Sequence, residues 1–186
     1  QLHRLANYRS FCLNLYYCID SYILMLNTEE SAIFVEKYIL YLLGHFPFHS
    51  QQKQILFLNE IQKVVSKFSE IISPYVSVKL LTFIGRNLFN SPCIEISEKS
   101  LSFVFEKGFS NLINQYYSQI ISVFYINSHK AAKSHHDNYI RGLSLAVLQE
   151  LSRINQKQFN NIVAEIHHSK KHPKNDDGKQ RKIFNF

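Results

Sequence analysis

Glycine and proline are scarce: five glycines and four prolines in 186 residues. The prolines fall between periodic apolar segments, which argues against many short strands joined by turns and for long helices. No run of eighteen apolar residues occurs, so no membrane-spanning helix is expected. Nor does a charged-then-apolar leader open the chain, so no signal peptide is expected, and the opening Gln1-Leu2-His3 reads as the inside of a longer chain. Only three cysteines are present, Cys12, Cys18 and Cys93. Odd in number and set in apolar patterns without ligand spacing, they read as buried free thiols in a reducing compartment.

What is present is a core. Hydrophobic residues make up 46% of the chain and charged residues 19%, the balance of a globular protein and not a disordered one. The formal charge of +7 permits an acidic partner without specifying nucleic acid.

The informative stretch runs from Tyr38 to Ile61. Ile33, Tyr38, Leu42 and Leu43 suit one helix face, and Gly44-His45-Phe46-Pro47 ends it, because proline lacks an N–H and disfavours helix in the residue before it. Ser50 can cap a second helix whose stripe is Ile55, Leu58, Ile61 and Val65. This is a helical hairpin with a tight polar corner. Earlier, Leu13, Tyr16, Tyr17, Ile19, Ile23 and Leu26 form a stripe broken at Asn27-Thr28, where Thr28 can cap the next helix. Later, Ser73-Pro74 opens a helix carrying Val78, Leu81, Ile84, Leu88 and Phe89, with proline harmless in the first turn. Ser91-Pro92 precedes another, through Leu101 and Phe105, that weakens at Lys107-Gly108. Leu112, Tyr116, Ile120, Ile121, Phe124 and Tyr125 make a helix ending near Asn127-Ser128-His129. Ser134 or Asp137 starts one through Leu151, and a last short helix carries Phe159, Ile162, Val163 and Ile166 beyond the break at Asn155.

About eight helices in antiparallel pairs result, with a unit of about forty residues, the period of HEAT-type repeats. The expected fold is all-α, a HEAT-like or armadillo-type solenoid of antiparallel helix pairs over residues 1–168. Residues 169–186 are polar and basic and read as a flexible tail.

Several islands then carry a family resemblance. Leu42-Leu43, Phe46-Pro47 and His49-Ser50, followed by Phe57-Leu58-Asn59-Glu60-Ile61, form the strongest. Leu2-His3-Arg4 and Tyr17-Cys18 precede it. Ser91-Pro92 with Glu98, Lys99 and Leu101, then His135 with Ile140, Gly142 and Leu143, then Ile154-Asn155-Gln156-Lys157 with Phe159, follow in order. Together they resemble the B-prime family of protein phosphatase 2A regulatory subunits. The chain departs from that pattern in having no tryptophan; Phe46, Val104 and His136 stand where the family has it. The resemblance implies a non-catalytic solenoid that binds the scaffold and catalytic subunits of a trimeric serine/threonine phosphatase. It implies that this chain covers the C-terminal three to four repeats, without the family's pocket for short substrate motifs. Phosphoprotein substrates would then be chosen by the parent chain.

In a solenoid the loops within each pair form a ridge open to partners. Candidate contacts are His49, Ser50, Gln52 and Lys53 at one corner, Ser91, Pro92 and Glu95 at the next, and Lys133, His135 and Asn138 at a third. A structural role competes at each: Ser50 and Ser91 as caps, Pro47 and Pro92 as terminators, Asn59-Glu60 as a solvated face or an inter-repeat hydrogen bond. The pairs His135-His136 and His167-His168 do not chelate, because neighbours on a helix point about a hundred degrees apart. No cofactor or metal is expected. Catalytic constellations are absent too, since Asp20, Asp137, Asp176 and Asp177 are the only aspartates and a two-metal phosphatase centre needs several Asp and His ligands. The alternative function is a helical-repeat module whose basic surface takes acidic peptides or nucleic acid, but Lys170, Lys171, Lys174, Lys179, Arg181 and Lys182 concentrate that charge in the tail, so no nucleic acid is expected. Free thiols and the missing leader point to the cytoplasm, and the basic tail permits nuclear import.

Overall fold

The computed structural model describes the backbone of residues 8–171, and all of its regular structure there is helical. The helices are α1 (Tyr8–Met25), α2 (Thr28–Gly44), α3 (Gln51–Phe68), α4 (Pro74–Asn87), α5 (Ile94–Ser102), α6 (Lys107–Gln115), α7 (Tyr117–Ser134), α8 (Asn138–Ile154) and α9 (Gln156–Lys171). Short 3-10 turns at Ser69–Ile71 and Phe103–Phe105 tighten two of the connections. Among the described residues no helix is long and apolar enough to cross a membrane.

Two layers result. One holds α2, α4 and α7 side by side; the other holds α1, α3, α5 with α6, and α8. Consecutive helices alternate between them as the antiparallel pairs α2–α3, α4–α5 and α7–α8, and α9 closes against α7 and α8. This is a helical-repeat solenoid. Its core runs continuously from Ile39, Leu42 and Phe57 through Leu80, Ile84 and Phe89 to Phe124, Val147 and Leu151, all essentially inaccessible to water. Two glycines let layers approach closely. A Cβ on Gly85 would lie 2.7 Å from Phe124 Cδ1, and one on Gly108 would lie 2.8 Å from the Val65 carbonyl oxygen.

Several local expectations are corrected. Asn27, not Thr28, caps α2: its side chain accepts from Glu30 N–H (2.9 Å) while the Glu30 carboxylate accepts from Asn27 N–H (3.3 Å), a capping box. Ile33 is 48% exposed, not on the buried face. Ser50 and Ser73 occupy N-cap positions but make no side-chain cap bond, and Cys93, not Ser91, precedes α5. The helix expected over 112–129 is two helices meeting at Tyr116, and the second runs past His129 to Ser134. Asp137 is its successor's cap, accepting from Ile140 N–H at 3.0 Å. Helix α9 is sixteen residues long and extends beyond His168. None of the cysteines is fully buried, since Cys12 and Cys93 are half-buried and Cys18 is exposed on the outer side of α1. The remainder of the basic tail, from residue 172, lies outside the described residues.

Candidate partner-binding ridge

The three intra-pair corners lie along one edge of the solenoid. Their prolines and turn, at Pro47, Pro92 and His136, recur at steps of about 45 residues, within the range of a HEAT unit.

The first corner is built on Phe46, which is buried with its ring edge-on to Phe57 (centroids 6.0 Å) and Phe83 (5.2 Å). The chain turns through Phe48 N–H to the Phe46 carbonyl (3.0 Å) and Ser50 N–H to the Pro47 carbonyl (3.0 Å). Gln54 Nε2 donates to the Phe48 carbonyl at 2.9 Å, so a side chain from α3 ties this corner where Ser50 does not. Phe48 itself projects, 53% exposed.

The second corner folds back on Ser97, whose hydroxyl reaches the carbonyls of Ser91 (2.9 Å) and Leu88 (3.3 Å). Between the first two corners lies an open groove of about 220 Å³, lined by Phe48, Gln51, Gln54, Asn90 and Pro92 among others. The third corner is joined to the second through His135, whose Nε2 meets the Ser91 carbonyl oxygen at 2.9 Å. Arg141 also braces it, donating to the His135 carbonyl (3.1 Å) and to Asn138 Oδ1.

The candidate residues therefore divide. His49, Gln52, Pro92, Glu95, Lys133 and Asn138 are exposed on the ridge, while Ser50 and Lys53 are half-buried. Ser91 and His135 are buried: the His135 ring holds two corners together through the Ser91 backbone carbonyl, and the Ser91 hydroxyl accepts locally from Cys93 N–H, so neither side chain is presented to a partner. Glu60 is also no surface residue: it is buried and accepts a hydrogen bond from the Tyr38 hydroxyl within the α2–α3 pair. Phe48, Gln54 and Arg141 were not singled out from the sequence. An aromatic directly after a corner proline was the available signal for Phe48.

A second line of polar contacts stitches neighbouring repeats in the α1–α3–α5–α8 layer. Lys67 pairs with Asp20 (2.7 Å), Gln62 Nε2 donates to Glu106 (2.6 Å), and the Tyr139 hydroxyl donates to Glu98 (3.2 Å). Lys99, which donates to Gln62 Oε1, has its pKa pushed down by burial, against the opposing pull of Glu106. The bond to Glu98 raises the Tyr139 phenol. These contacts set the register of one repeat on the next.

The chain matches the model of the protein phosphatase 2A regulatory B subunit (B56) family over residues 1–185. It is 25% identical, over 89% of its length, to the 56 kDa regulatory subunit delta 1 isoform of serine/threonine-protein phosphatase 2A from Schizosaccharomyces pombe, and covers 30% of that protein. It is 24% identical over 85% of its length to the human delta isoform, covering 25% of it, and 26% identical over 91% of its length to the regulatory subunit psrA of Dictyostelium discoideum, covering 26%. The chain thus spans less than a third of each of these curated relatives. With the two-layered repeat fold and the ordered sequence islands, the match places the chain in the B56 family of protein phosphatase 2A regulatory B subunits, the B-prime family by another designation.

Proposed function

We propose that this chain is part of a non-catalytic regulatory subunit of the protein phosphatase 2A holoenzyme, with its three-corner ridge turned toward the scaffold and catalytic subunits. The family match over residues 1–185 carries this reading. The exposed positions supply suitable contact chemistry: a cation at Lys133, joined by the half-buried Lys53, donors and acceptors at His49, Gln52 and Asn138, and an apolar surface at Phe48 and Pro92. The subunit would direct serine/threonine dephosphorylation toward phosphoproteins selected by the parent chain, within the cytoplasm and, where the basic tail allows, the nucleus. A basic nucleic-acid module is the weaker reading, because the densest cationic run of the sequence lies at its end, from Lys170 to Lys182, and not among the corner positions.

Reconstitution with purified scaffold and catalytic subunits tests this. The full chain is expected to co-elute with both on size exclusion, and Lys53→Glu with Lys133→Glu is expected to weaken recovery several-fold. Co-elution untouched by these changes would remove the two lysines from the interface; no co-elution would overturn the assignment.

A further inference from the structure

In the pairs α2–α3, α4–α5 and α7–α8 a first-layer helix is followed by its second-layer partner. Helix α1 breaks that order. It lies in the second layer beside α3, and among the described residues no first-layer helix precedes it. The first layer is open at the same end. There α4 lies between α2 and α7, and α7 between α4 and α9, whereas α2 has α4 on one flank only.

The open flank has the chemistry of an interface. Ile33, Lys37, Leu40 and Gly44 recur at helical spacing on the side of α2 turned away from buried Val35 and Leu42. Ile33 is 48% exposed, and with Tyr22, Leu26 and Phe34 it borders an open notch of about 240 Å³ between α1 and α2. Tyr22, half exposed itself, stands edge-on to Phe34 with centroids 5.1 Å apart. On α1 the only charged residue from Leu13 to Met25 is Asp20, which turns to α3 and pairs with Lys67 at 2.7 Å. The solvent side of that stretch is therefore uncharged, with Met25 84% exposed. An apolar, uncharged side on an outer helix marks contact with protein. The other end of the solenoid is unlike it. There α9 packs on α7 and α8 and turns Gln156, Lys157, Asn160 and Asn161 to solvent, the polar outer face of a terminal repeat.

We propose that the notch between α1 and α2 seats a further helix of the same polypeptide, the first-layer partner of α1. It runs antiparallel to α1 and side by side with α2, setting apolar residues at helical spacing against Ile33, Leu40 and Tyr22. The inference rests on the reading of this chain as part of a longer regulatory subunit. The relatives leave room for such a helix, since the chain covers only 25–30% of their length. Continuity of the packing selects this occupant: it repeats against α2 what α2 and α4 do against α4 and α7. A second copy of the chain offers a finished α1–α2 edge, two layers deep, and not the single first-layer helix that the order of layers calls for. Burial in this way also gives a role to Ile33, an apolar residue that the described helices leave half in water.

Hydroxyl-radical footprinting of the 186-residue chain and of its parent polypeptide tests it. Tyr22 and Ile33 are expected to be modified several-fold more slowly in the parent, while Tyr75 and Tyr139, exposed on other helices, react alike in both. Ile33→Asp supplies a second reading. It is expected to leave the thermal midpoint of the 186-residue chain nearly unchanged, because the side chain there is half in water, and to lower that of the parent by several degrees, with Ile33→Leu restoring it. Equal footprints, or equal midpoint shifts in the two proteins, overturn the proposal, as does a parent with no further helical pattern ahead of α1. Light scattering covers the competing occupant: a dimer of the 186-residue chain that Ile33→Asp abolishes, with Tyr22 and Ile33 unprotected in the parent, gives the face to a second copy and overturns it too. Co-elution with the scaffold and catalytic subunits is scored separately, so failure of the holoenzyme assignment is told apart from failure of this one.

Discussion

His135 donates from Nε2 to the carbonyl oxygen of Ser91 across 2.9 Å, fastening the α7–α8 corner to the α4–α5 corner forty-four positions earlier. The partners fix the tautomer. Asp137 N–H can only donate, so the Nδ1 atom 3.1 Å away accepts, and the proton sits on Nε2. The Ser91 carbonyl takes a second bond from the Ser97 hydroxyl (2.9 Å), which uses both of its lone pairs.

His135→Ala is therefore expected to destabilise the chain by about 2 kcal/mol, from lost hydrogen bonds and the void left by a buried ring. Ser91→Ala keeps the carbonyl clamp and loses only the bond from Cys93 N–H to the Ser91 hydroxyl (3.2 Å), so it should cost about 1 kcal/mol or less. Urea midpoints of the two variants provide the comparison. Equal losses would show that the clamp is not what binds the corners.

Three glycines make a sign test. Gly85→Ala and Gly108→Ala place a methyl against Phe124 and against the Val65 backbone, and each is expected to lose about 1–3 kcal/mol by overpacking. Gly142, inside α8, has nothing within 4 Å of its Cβ position. Gly142→Ala should instead gain roughly 0.5–1 kcal/mol from helix propensity. Thermal melts read all three.

Tyr117 supplies a pH dependence. Its hydroxyl donates to the Leu151 carbonyl at 2.6 Å, joining the start of α7 to the end of α8, and burial pushes the phenol up to about 12 from 10.0. The unfolded chain releases this proton first. The contribution is thus complete below pH 10 and is lost as pH rises from about 10 toward 12. Tyr117→Phe is expected to remove that part of the alkaline loss, seen as a shallower decline of the urea midpoint above pH 10 than in the unaltered chain. Parallel declines would contradict it.

Much of this architecture is legible in the sequence, for physical reasons. Pro47 and Pro92 mark corners because proline cannot donate, and Val35, Ile39 and Leu42 recur at helical spacing because one face is buried. Ile33 misleads because it is apolar but lies about 200° around the helix from Val35. Asn127-Ser128-His129 imitates a helix end. The helix continues because Asn127 Nδ2 bonds the Val123 carbonyl within α7 (2.9 Å) and Ser128 is small enough to be buried between repeats. For the ridge, its place at Pro47, Pro92 and the His135–Asn138 turn was readable, but which side chains face outward was not. Ser91 and His135 turn inward through a contact between corners far apart in sequence, and local pattern carries no record of such a contact.

Capping separates what local sequence offers from what the fold uses. Asn27, Ser50 and Asp137 all precede helices, and all three residue types are favoured caps. Of these three, only Asn27 and Asp137 bond a first-turn N–H; at the Ser50 corner the side-chain bond is instead the one from Gln54 Nε2 to the Phe48 carbonyl. Asn27→Ala and Asp137→Ala are each expected to cost about 1 kcal/mol, while Ser50→Ala should stay within about 0.5 kcal/mol of the unaltered chain. Gln54→Ala should then be the costly change at this corner, leaving the Phe48 carbonyl without its donor. Amide exchange in the first turn of α3 checks this directly: faster exchange in Gln54→Ala than in Ser50→Ala supports the assignment, and the reverse order would return the cap to the serine.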